Sequence, residues 1–135
     1  MAEQHVRLKS PHSKSFSEAL SVDADAHGSW IFVSGQVGVP MTGGHQGLSF
    51  EDEVRVCFER IAASLEALGA TMADIVKLQA YLTSLEPYAE YSKVRSAFFQ
   101  QDPPASTAVQ VAGLLLGARV EIDAVAFKAK AAASP

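Results

Sequence analysis

Residues Pro103–Ala126, PPASTAVQVAGLLLGARVEIDAVA, decide the architecture. The tandem prolines end whatever element precedes them. Ser106–Ala112 (STAVQVA) is rich in β-branched and small residues and reads as a strand. After a Gly- and Leu-rich connection, Ala118–Phe127 alternates strictly. Val120, Ile122, Ala124 and Ala126 share one face; Arg119, Glu121, Asp123 and Val125 share the other. Such a strand buries one side and presents charge on the other.

The same alternation recurs upstream. In Ile75–Thr83, Val76, Leu78, Ala80 and Leu82 are predicted to face one way, and Lys77, Gln79, Tyr81 and Thr83 the other. Trp30–Ser34 (WIFVS) reads as a short apolar strand, with Glu18–Val22 as its hairpin partner through a turn at His27-Gly28. Two helices separate these runs. In residues 49–69, Ser49 caps a first turn carrying Glu51, Asp52 and Glu53, where the helix dipole favours negative charge. Val54, Cys57, Phe58, Ile61, Ala62, Leu65 and Leu68 then form one apolar stripe, and Gly69 ends it. A second helix is predicted over Pro87–Gln100, with Tyr91, Val94 and Phe98 on its buried side. The predicted order is β-β-α-β-α-β-β, an α+β chain. Two helices cover only one sheet face, so the face bearing Lys77, Gln79, Tyr81, Arg119, Glu121, Asp123 and Val125 meets either solvent or another subunit.

The chain has 135 residues, enough for a single domain over 1–135, and residues 1–12 and 128–135 are predicted to be loose ends. A 48% hydrophobic content with 19% charged residues indicates a globular chain rather than a disordered one. Net charge is -4, and the 11 basic residues are scattered, which argues against nucleic acid as a partner. No apolar run approaches the ~20 residues that cross a bilayer, and the first turns of chain lack a signal-peptide core. No membrane association and a cytoplasmic location are therefore expected. A lone cysteine allows no internal disulfide. Cys57, on the apolar stripe, reads as an inert buried thiol.

The four histidines lie in tails and turns without ligand spacing, so no metal is expected. Gly43-Gly44-His45 lacks the flanking residues of a phosphate loop, and Ser34 lacks the G-x-S-x-G of a nucleophile elbow. Glu121 is the chemically interesting residue. A carboxylate inside a strand, two residues from Asp123, is either paired with Arg119 or Lys77 or used in catalysis.

Several short motifs together resemble the RidA (YjgF, endoribonuclease L-PSP) family of reactive-intermediate deaminases. They are Ser34-Gly35-Gln36 after an apolar strand, Ile75-Val76-Lys77, Phe98-Phe99, Pro104-Ala105-Ser106-Thr107-Ala108-Val109 and Val120-Glu121-Ile122. The resemblance runs from about Phe16 to Phe127. It implies a chorismate-mutase-like fold with two helices on one face of a mixed sheet. It also implies a homotrimer with ligand clefts between subunits, and cofactor-free hydrolysis of enamines or imines to keto acids. On the family pattern, Glu121 handles protons, while Phe16, Ser34, Gly35, Ser92 and Ser106 border the ligand. Two departures stand out. Ser106 occupies the position of the arginine that forks onto the substrate carboxylate, and Phe16 that of a tyrosine. Hydrolysis of 2-aminoacrylate is therefore expected to be inefficient. The resemblance leaves two readings, a deaminase of altered specificity for a keto- or imino-acid-like ligand, or a non-catalytic trimer that binds a small metabolite. A replacement cation is sought among Lys77, Lys93, Arg95 and Arg119.

Overall fold

The computed structural model describes residues 5–130. Its elements are β1 (His5–Lys9), β2 (Ser17–Asp25), β3 (Gly28–Val37), α1 (Phe50–Ala67), β4 (Ile75–Leu82), α2 (Tyr88–Phe98), β5 (Ala105–Gln110) and β6 (Val120–Ala129). The strands form one mixed sheet in the order β1-β2-β3-β6-β4-β5. β4 and β5 run parallel, with α2 between them in the chain, and the other neighbours are antiparallel. β6, the alternating strand, lies between β3 and β4.

The predicted helix signals act as read. The Ser49 hydroxyl accepts the Asp52 amide at 3.1 Å, and Gly69 takes a positive φ just beyond α1. Val54, Cys57, Phe58, Ile61 and Leu65 are fully buried against Val120, Ile122 and Ala124 of β6 and Leu78 of β4. Phe58 also packs on Tyr91, Phe98 and Phe99, joining α1 to α2. The opposite sheet face lacks helical cover and displays Trp30, Phe32, Tyr81, Val109, Glu121 and Asp123.

Three expectations are corrected. Residues 5–9 are not a loose end: β1 pairs with β2 at the sheet edge. Its polar, half-exposed residues offer little hydrophobic contrast, and even Val6 is 60% exposed. At the other end β6 extends through Ala129; residues 1–4 and 131–135 lie outside the described residues. Second, Val76 does not share a face with Leu78. The register shifts between Ile75 and Lys77, so Ile75 turns inward and Val76 outward. Third, Arg119 does not join the open face beside Glu121. It precedes β6 and turns toward α1.

There it meets Glu53, which is fully buried. Glu53 accepts both the Arg119 backbone amide and its Nε, each at 2.7 Å. The same guanidinium donates to the Leu48 carbonyl at 2.8 Å. Gly38 makes room for this turn of helix, since a Cβ there would lie 2.1 Å from the Glu53 carbonyl oxygen. Removing one partner of a buried, hydrogen-bonded pair strands the other, at a cost of roughly 3–5 kcal/mol. Glu53→Ala is expected to lose about 3 kcal/mol in denaturant unfolding at neutral pH; a loss under about 1 kcal/mol would show that the pair adds little.

Candidate active site

The β3–β6 ladder runs regularly from Gly28 to Val33, then resumes at Gln36 opposite Ile122 and Val37 opposite Glu121. Ser34 and Gly35 form the irregular step between. The missing side chain at Gly35 is what the step requires. A Cβ there would lie 2.6 Å from Glu121 Oε2 and 2.9 Å from its carboxyl carbon. Thus the Glu121 carboxylate lies directly over the Gly35 backbone. The Ser34 hydroxyl donates to the Ser17 carbonyl at 2.6 Å and tethers β2 to the step.

Glu121 and Gly35 lie in the wall of a cleft of about 700 Å³, with Phe16, Gln36, Arg60 and Leu116. Phe16 is 52% exposed and projects over one side. Arg60 holds the cleft floor through the Val37 and Val39 carbonyls. Glu121 forms no ion pair among the described residues, so the Arg119 or Lys77 pairing is not realised. Lys77 instead donates to the Thr107 hydroxyl at 2.8 Å. Partial burial pushes the Glu121 carboxyl above the usual carboxylate range, and the Asp123 charge adds to the rise. Asp123 is raised as well, chiefly by burial; the Tyr81 hydroxyl, 3.1 Å away, and the Lys77 charge oppose this.

Ser92 and Ser106 lie elsewhere. Glu121 is paired with Tyr81, and Tyr81 with Val109, three residues from Ser106. Two strand spacings and three residues of rise separate Ser106 from Glu121 by ~14 Å within one chain. Ser106 lies on the helix-facing side of β5, and beside it is Arg95 of α2. Arg95 Nη1 is 3.5 Å from Ser106 Oγ, and Nη2 is 3.2 Å from Ser92 Oγ. The guanidinium carbon lies 5.3 Å from the Tyr91 ring centroid and 5.9 Å from that of Tyr88. A second depression of about 430 Å³ opens here, walled by Arg95, Ser106, Phe99 and Pro104.

Of the named site residues, the structure therefore brings Phe16, Gly35 and Glu121 together and gathers Ser92 and Ser106 around Arg95. The Ser34 hydroxyl is committed to the Ser17 carbonyl, and Ser34 does not line the cleft. Among the candidate cations, Arg119 is committed to Glu53, Lys77 to Thr107, and Lys93 approaches Glu51 at 3.4 Å. No group of acidic, histidine or cysteine side chains suited to a metal is present among the described residues. Cys57 is buried, and burial pushes its thiol far above the usual range, as expected of an inert thiol.

Residues 9–128 match the endoribonuclease L-PSP family model. A 2-iminobutanoate/2-iminopropanoate deaminase of Dermatophagoides farinae is 32% identical over 111 residues, spanning 82% of this chain and 83% of that protein. Among solved structures, a Mycobacterium tuberculosis member of the YjgF/YER057c/UK114 family superposes with a TM-score of 0.78 at 25% identity, covering 92% and 99% of the two chains. Escherichia coli TdcF with bound serine gives 0.73 at 29% identity, covering 86% and 90%. The chain belongs to the endoribonuclease L-PSP family, also called RidA or YjgF, whose members include imine deaminases. No described helix is long and apolar enough to cross a membrane.

The raised carboxyls set a pH dependence. In the folded chain Glu121 keeps its proton to higher pH than in the unfolded chain. Stability therefore falls as pH rises from the ordinary carboxylate range through the raised value. Glu121→Gln removes that contribution. Its Tm is expected to exceed that of the parent protein at pH 7, with the difference vanishing as pH falls to about 4. An equal or lower Tm at pH 7 would contradict the assignment.

Proposed function

We propose that this protein is a cofactor-independent deaminase, a hydrolase of C–N bonds acting on a small imine or enamine. Its specificity differs from that of its relatives because Ser106 stands where the family carries an arginine. The observation that carries the reading is the Glu121 carboxyl, unpaired, raised and seated over Gly35 in an open cleft. In the reaction, Glu121 takes a proton as water adds to the imine carbon. The new C–O bond forms while the C=N π pair withdraws to nitrogen. Glu121 then returns the proton to nitrogen, which gives a carbinolamine. It next takes the proton of the new hydroxyl and passes it to nitrogen; the oxygen lone pair forms C=O as the C–N bond breaks, and ammonia leaves a keto group behind. A carboxyl raised toward neutrality suits both halves of this exchange.

The half-sites around Glu121 and Ser106 are too far apart for one small ligand. They join when copies of the chain associate through the open sheet face, as a homotrimer with composite clefts. Trp30, Phe32 and Val109, each more than 40% exposed on that face, favour such burial. The cleft beside Glu121 is larger than 2-aminoacrylate needs, and Phe16, Met41 and Leu115 give it apolar walls. This favours imines with longer apolar side chains over 2-aminoacrylate. The net charge of -4 and the scattered basic residues support an enzyme with no nucleic-acid partner, and its proposed location is the cytoplasm. One observation favours the second reading, a non-catalytic metabolite-binding trimer: the strand position of the carboxylate-binding arginine carries only a hydroxyl.

Sedimentation equilibrium at micromolar concentration is expected to give three times the 14.3 kDa chain mass; a stable monomer would contradict the composite cleft. Imines generated in situ from a series of amino acids by an amino-acid oxidase supply the activity assay, with ammonia release as readout. Hydrolysis is expected to accelerate most for longer side chains. Both Glu121→Gln and Gly35→Ala should lower the rate by roughly a hundredfold or more while keeping the assembly. No acceleration for any imine, with the assembly intact, would favour the binding reading.

A further inference from the structure

We infer that Arg95, projecting from α2 onto the edge strand, is the carboxylate anchor of this site, with the Ser92, Ser106 and Tyr91 hydroxyls completing the cradle. The inference deepens the proposed function by naming what replaces the strand arginine. It stands on three independent features.

The first is position. Of the four cations considered, Arg95 alone reaches Ser106, at 3.5 Å. A guanidinium from the helix thus lies beside the strand position Ser106, in the wall of the same depression. The second is commitment. Arg119 is bound to Glu53, and Lys77 and Lys93 have their own partners. Arg95 has no carboxylate partner among the described residues. Its contacts are hydroxyls at 3.2–3.5 Å and the faces of two tyrosine rings. Long hydroxyl contacts and ring faces hold a guanidinium in place without neutralising it.

The third feature is an orphaned group. Tyr91 is fully buried, yet its hydroxyl has no hydrogen-bond partner among the described residues. A buried hydroxyl left unpaired is costly, and such groups call for an explanation. Burial pushes this phenol up; the Ser106 hydroxyl and the Arg95 guanidinium, both near enough to interact with its oxygen, oppose the rise. An acceptor oxygen held between Arg95 and Ser106 would give that hydroxyl its partner. A planar carboxylate matches the fork of the guanidinium and leaves lone pairs for the hydroxyls.

Tyr91→Phe separates this role from a structural one. Among the described residues the hydroxyl makes no well-formed hydrogen bond, so its loss should leave the Tm nearly unchanged. Pyruvate, the simplest 2-keto acid, is the probe, titrated by calorimetry against the intact assembly. The parent protein is expected to bind it. Tyr91→Phe should weaken binding by about fivefold. Arg95→Lys keeps the charge but loses the fork, and should weaken binding by at least about tenfold. Absence of pyruvate binding by the parent protein, or unchanged affinity in Arg95→Lys with the assembly preserved, overturns the inference. The two readings fail separately. Arg95-dependent pyruvate binding without any imine hydrolysis removes the deaminase reading and keeps the anchor. Glu121-dependent hydrolysis with affinity indifferent to Arg95 removes the anchor and keeps the deaminase.

Discussion

Glu53 enters the core as a charge, and the position of β6 follows from how that charge is met. Its two carboxylate oxygens are taken by the backbone amide and Nε of Arg119, one residue before β6 begins. The guanidinium also reaches the Leu48 carbonyl at the entry to α1. Helix and strand are thereby locked in register at the point where the strand starts. With Arg119 held, Val120, Ile122 and Ala124 face α1, and Glu121 and Asp123 must face away from it. The site carboxylate is thus aimed by a buried ion pair two residues upstream. Specificity of placement is a use of buried pairs that mere stabilisation would not explain.

The second constraint is the step in β3. Because Ser34 and Gly35 interrupt the ladder, Glu121 has a hollow to fold into rather than a neighbouring side chain. The carboxyl is partly shielded from water and lies near a second carboxyl, which accounts for its raised affinity for protons. Across the sheet the same economy appears at β5. An edge strand with small residues leaves space beside Ser106, and α2 fills it with Arg95.

The strands with strict alternation and the helix with a serine cap were legible because each signal is local. Val120 through Ala126 needs nothing beyond period two, and Ser49 needs only the amide three residues on. The missed features all depend on partners distant in sequence. β1 lies at an edge where burial hardly distinguishes its faces. The outward turn of Val76 comes from a register shift against β6. Glu53 reads as a dipole-favoured surface acid, because nothing local tells the inward-facing first-turn position from the others. That Glu121, Gly35 and Phe16 would lie near one another was legible only through family motifs, and the structure places them in one cleft. Arg95 was one of four equivalent cations until the packing of α2 on β5 set it beside Ser106.

On the proposed reading, the carboxylate anchor, Arg95, and the proton-handling carboxyl meet only when copies of the chain assemble. A crystal structure of the assembled protein with pyruvate tests it most directly. The pyruvate carboxylate is expected within hydrogen-bond distance of Arg95 of one copy, with its keto group facing Glu121 of a neighbouring copy. Pyruvate held by any other cation, or enclosed with Glu121 inside a single chain, would contradict it.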